Sequence, residues 1–173
     1  MKISKTIIAS FVLLSIATLL APMAIAATPI VEQVTGGGWY FSACDGNKCT
    51  FGFNAEQLAD GTWRGNVEFV DHGPQPAYDT LRGYPHVHGY EITNVEVTPT
   101  AATIWGNCRL NGDNGPYAFR VDVTDVGEPG TLDTFEIQVF GLPGGDYISL
   151  GELGFTIPEH GGGNIQTHRW PVI

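Results

Sequence analysis

From Thr50 onward the chain alternates between apolar and polar residues with a period of two. In "TFGFNA" Phe51, Phe53 and Ala55 share one side. In "TWRGNVEFV" Gly65, Val67 and Phe69 lie opposite Arg64, Asn66 and Glu68. Such alternation predicts half-buried strands, here joined near Asp60-Gly61. "YEITNVEV" carries the pattern less cleanly, and Thr98-Pro99 turns the chain into "ATIWGNCRL". There Ile104, Gly106, Cys108 and Leu110 share one face and Trp105, Asn107 and Arg109 the other. "NGDNG", Asn111 to Gly115, supplies residues that accept positive φ for the next reversal. The clearest strand follows, with Tyr117, Phe119, Val121 and Val123 opposite Arg120, Asp122 and Thr124. Phe135, Ile137 and Val139 then answer it against Glu136 and Gln138.

Two glycine-rich stretches look alike, "VTGGGWYF" near residue 40 and "GGGNIQTHRW" close to the end; pairing them would close a sheet, though neighbouring glycines equally mark bulges. "NAEQLAD" is the one helix candidate, and it is barely two turns long. Eight or nine short strands with turn signals about every 8 to 12 residues predict an all-β fold, a single antiparallel β-sandwich or small β-barrel. A parallel sheet would need crossover helices, for which the pattern leaves no room.

Lys2 and Lys5, an apolar run from Ile7 to Leu20 and the small-x-small site Ala24-Ile25-Ala26 read as a secretory signal peptide over residues 1–26. A permanent anchor would need about 20 apolar residues and a basic stop, whereas Pro22 and the cleavage site follow here. Residues 27–173 then form one β-rich domain, secreted to the extracellular space or cell surface, with no stable membrane span. Cleavage leaves 6 Lys+Arg against 18 Asp+Glu, a net charge of −12. Such a surface repels nucleic acid and anionic membranes. About 145 residues suffice for one domain with a real core.

Three cysteines leave at least one unpaired in an exported chain. Cys44 and Cys49 bracket "DGNK", a tight-turn sequence that would bring their Cα atoms about 5.5 Å apart and predicts a disulfide, a two-cysteine metal site being the alternative. Cys108 reads as a small buried hydrophobe. "HVHG" sets His86 and His88 on one strand face, where both can reach one ion, with His72 and Asp71 as further ligands; rim residues without a ligand are the simpler reading. "TDVGEPGTLDTF" groups Asp125, Glu128 and Asp133 around two glycines and a proline. It is either a calcium site, calcium being the one cofactor considered, or a turn that uses these residues to bend. The long connection Asp71–Pro85, with Tyr78 and Tyr84, is a candidate binding loop. No nucleophile elbow or phosphate loop is present, and the serines after the signal, Ser42 and Ser149, lie in no recognised catalytic setting.

"VTGGGWY", "FGF", "GNVEFVDH", "VHGYEIT", "YAFRVDVTDVGEPGTLDTFEIQV" and "GGGNIQTH", in this order, resemble the post-COAP domain of exported prokaryotic proteins across nearly all of residues 27–173. The resemblance implies an extracellular β-rich module, often attached to larger surface proteins, with no enzymatic activity to carry over. His88 stands where that family has a histidine, His86 is particular to this chain, and Gly89 replaces the family's usual serine. The expected function is a non-catalytic surface, matrix or carbohydrate-associated binding module, with an extracellular protein or polysaccharide as partner. The alternative is a self-associating homo-oligomeric subunit that donates the extended Thr28–Val34 segment to a neighbour's sheet edge. A metal-dependent enzyme built on His86 and His88 is a third reading.

Overall fold

The computed structural model describes residues 28–73, 85–130, 132–142, 145–153 and 161–170. The signal segment, Tyr78 and Tyr84 lie outside the described residues. Nine strands form among the described residues: β1 (Ile30–Phe41), β2 (Lys48–Leu58), β3 (Trp63–Asp71), β4 (His86–Val97), β5 (Ala101–Leu110), β6 (Asp113–Thr124), β7 (Thr134–Phe140), β8 (Tyr147–Glu152) and β9 (Gly161–Arg169). All pairs are antiparallel in one sheet of order β8-β7-β6-β5-β4-β3-β2-β1-β9, curled into a nearly closed barrel. The helix candidate "NAEQLAD" continues β2 as far as Leu58, because Ala55 extends the inward row begun by Phe51 and Phe53.

Turn chemistry sets the hairpins. Asn111 and Gly112 take φ of 50° and 81°, so a two-residue turn joins β5 to β6 with the twist its strands need. Asp60 accepts from the N–H and hydroxyl of Thr62, and Gly61 takes φ 82°. The two glycine-rich stretches do pair, Gly38 opposite Gly163 and Trp39 opposite Gly162. A Cβ on Gly38 would stand 2.4 Å from the Gly162 carbonyl oxygen, and one on Gly163 would stand 2.3 Å from that of Gly37. Backbone approaches backbone here, which only glycine permits.

The barrel interior is filled with aromatic rings. Phe135 stacks on Phe51 with centroids 4.1 Å apart, and Tyr40, Phe53 and Phe69 surround it at 5.9 to 6.2 Å. The inward rows read from the sequence are buried as expected, including Cys108, Val67, Phe119, Val121, Ile137 and Val139. β8 lies next to the start of the β1–β2 turn across a seam: the Ala43 N–H donates to the Leu150 carbonyl at 2.9 Å, and the Tyr40 and Ser149 hydroxyls bond at 2.9 Å. β1 is held on both sides, by β2 and β9, from Glu32 onward. Donating Thr28–Val34 to another sheet would therefore require stripping it from its own.

Candidate functional site

The acidic loop lies between β6 and β7. Gly127 and Gly130 bend it at φ 120° and 71°, and Glu128-Pro129 is a cis peptide. Its three carboxylates do not converge. Asp133 has no exposed surface and accepts from the N–H groups of Val126 and Ile165, each at 2.9 Å. Asp125 accepts from the Thr167 N–H at 2.9 Å and from its hydroxyl at 3.1 Å. Glu128 accepts from the side-chain amides of Gln166 at 2.8 Å and Asn164 at 3.0 Å, which hold its carboxyl below the usual range. Calcium needs six to eight oxygens around one point, whereas each of these carboxylates accepts from protein donors, mostly on β9. The loop is thus a clasp, and among the described residues Asp125, Glu128 and Asp133 are not arranged as one ligand group for calcium.

His86 and His88 do project from one face of β4, as the two-residue spacing predicts. Their common partner is Glu68 on β3, a residue the motif reading missed: His86 Nε2 lies 3.2 Å from one carboxylate oxygen and His88 Nδ1 contacts the other. His72 instead bonds the Thr50 hydroxyl at 2.9 Å. Asp71 points inward, where it accepts from the Tyr147 hydroxyl at 2.6 Å and the Gly73 N–H at 2.9 Å. His86, His88, His72 and Asp71 therefore form no common centre. Among the described residues no group of three or more His, Cys, Asp or Glu is arranged to hold an ion.

The predicted Cys44–Cys49 disulfide is absent, and all three cysteines are free. Alternation along β2 explains why. Cys49 shares the inward face with Phe51 and is fully buried, its sulfur 3.5 Å from the Ser149 hydroxyl, whereas Cys44 sits exposed in the turn. Burial pushes the Cys49 and Cys108 thiols up to about 12. It also raises the Tyr40 and Tyr147 phenols, the latter further through its bond to Asp71. Ser149 bonds a phenol and a thiol that both stay protonated at neutral pH, so neither can serve it as a base.

The outer face of β9, β1, β2 and β3 carries a different feature. Gly37 and Gly52 are cross-strand partners there, flanked along the strands by Trp39 and Thr50 on one side and Thr35 and Asn54 on the other. Asn164 on β9 and Glu68 on β3 stand at the two lateral ends. Neither glycine has positive φ, and no bulge interrupts the register at either. A Cβ on Gly52 would meet nothing within 4 Å, and one on Gly37 would make ordinary contacts at 3.6 and 4.0 Å. Glycine within a strand is unfavourable and often marks a bulge, a tight bend or the close approach of a ligand or backbone; no bulge lies at either position, and the space over Gly52 is open. The result is a notch with a bare backbone floor. Trp39 forms its aromatic wall, held edge-on by Phe41 at 5.9 Å and by the Lys48 ammonium at 4.7 Å. The other walls are hydroxyls, amides and one carboxylate. Below them Gln166, Thr35, Asn54 and Asn66 form a row without formal charge.

No family model, curated protein or solved structure matches the chain. Among the described residues no helix is long and apolar enough to cross a membrane.

Proposed function

We propose that this chain is an exported, non-catalytic binding module whose outer β9-β1-β2-β3 face takes a neutral polysaccharide. The Gly37–Gly52 notch carries the reading. Its floor admits a ring that any side chain would exclude, Trp39 offers an apolar wall, and Thr35, Thr50, Asn54 and Glu68 surround it with hydrogen-bonding groups. Protein hot spots favour apolar, fully desolvated pockets, whereas these walls suit a partner rich in hydroxyls. The acidic balance of the chain disfavours anionic polymers. With its interior filled by aromatic rings, the barrel is left its outer surface for binding. The resemblance to post-COAP modules agrees with export and with the lack of a catalytic motif.

The test is retention of residues 27–173 on insoluble and soluble neutral glycans, with Gly52→Val and Trp39→Ala compared with the parent. Val at position 52 fills the notch at a site with open space, so melting should be unchanged or raised while retention falls at least tenfold. Unaltered retention by Gly52→Val, or no retention of the parent on any neutral glycan, removes this reading.

A further inference from the structure

β9 pairs with β1 along one edge, from Gly161 to Arg169. Its other edge faces the seam, where side chains take the place of a strand. The Ile165 N–H donates to Asp133 and the Thr167 N–H to Asp125, both at 2.9 Å. Two residues of strand span roughly 6.6 Å, so the two carboxylates stand where successive carbonyls of a neighbouring strand would. The Thr167 hydroxyl reaches Asp125 and the Pro99 carbonyl, each at 3.1 Å. From outside, Glu128 holds Asn164 and Gln166, the residues preceding the two donors.

We infer that the 125–133 loop is a strand mimic and that the seam edge of β9 is a latent pairing surface whose partner is β9 of a second copy. An antiparallel pair uses N–H and C=O groups of the same alternate residues, so an edge offering donors at Ile165 and Thr167 is complementary to itself about a two-fold axis. The side chains beside those donors, Asn164, Gln166 and His168, place no like-charged pair across such a ladder. The clasp blocks it twice. It occupies the donors, and it sets the exposed Glu128 carboxylate and the half-buried Asp125 on the rim that a second copy would have to approach. Edge strands are commonly protected by charge or cover against such pairing, and here one loop supplies both.

Asp125→Ala removes the acceptor for Thr167, and Glu128→Ala removes an exposed carboxylate whose loss leaves the core untouched. Sedimentation across micromolar to millimolar concentration should show a monomeric parent. The expected result is a concentration-dependent dimer for Asp125→Ala and a weaker one for Glu128→Ala. In dilute Asp125→Ala the Thr167 amide should exchange at least tenfold faster than in the parent, and protection should return in the dimer. Should Asp125→Ala fail to fold, Glu128→Ala decides by its concentration-dependent dimer alone, since it leaves the Thr167 N–H on Asp125. Folded variants that remain monomeric at every concentration, or dimers in which the Thr167 amide exchanges freely, overturn the inference.

Discussion

Asp133 shows how a single residue can be misread from its type. A buried carboxylate is costly unless it is fully hydrogen-bonded, and this one is answered by the N–H groups of Val126 and Ile165 while its own carbonyl accepts from Leu153. The same attention to where a side chain points separates the three cysteines. The thiolate is the reactive form, and burial holds Cys49 and Cys108 near 12, far above the pH of ordinary labelling. Cys44 is exposed in the β1–β2 turn. A disulfide-exchange reagent at pH 8 should therefore titrate one thiol rapidly in the folded chain and three after denaturation. No rapid thiol in the folded chain and one after denaturation would mean that Cys44 and Cys49 are joined, leaving only the buried Cys108, and would restore the bridge that the turn sequence suggests.

At the scale of elements, glycines in adjacent strands make opposite demands. A Cβ at Gly38 meets backbone at 2.4 and 2.9 Å, which no rotamer change relieves, whereas one at Gly52 meets open space. Gly38→Ala should cost about 1–3 kcal/mol by overpacking, and Gly52→Ala should be neutral or stabilise by up to about 1 kcal/mol. Urea midpoints of the two variants check this, and equal midpoints would mean that β9 is not held against β1 as described. The sequence shows that the glycine stretches resemble each other but cannot show that backbone faces backbone. Inward rows such as Tyr117, Phe119, Val121 and Val123 were legible because large apolar side chains alternate with polar ones. β8 was not, because its pattern is inverted: Ser149 and Gly151 face inward while Ile148 and Leu150 are exposed. The loop's role was hidden for another reason. Its bends could be read locally, but its partners Ile165 and Thr167 lie more than thirty residues further along the chain.

For the whole molecule, the clasp ties resistance to unfolding to pH. Hydrogen bonds from Gln166 and then Asn164 hold the Glu128 carboxyl below its ordinary value in the folded chain. A carboxylate depressed in this way favours the folded state above its unfolded pKa. That contribution is lost as pH falls through the folded pKa, since the unfolded chain then binds the proton more readily. The urea midpoint of the parent should accordingly decline on acidification through and below the ordinary glutamate range, with the seam among the regions that loosen. Glu128→Gln keeps a side-chain oxygen for the two amides but has no proton to bind, so part of that decline should vanish. Glu128 is exposed, so the difference will be small and best seen at low salt, where screening is weakest. Asp60 is depressed as well, through its bonds to Thr62, but it acts within its own turn and is unchanged in the variant, so the comparison isolates the clasp. Parallel curves for parent and Glu128→Gln between pH 7 and 3 would show that the loop holds β9 through Asp125 and Asp133 alone, and that Glu128 only decorates the rim.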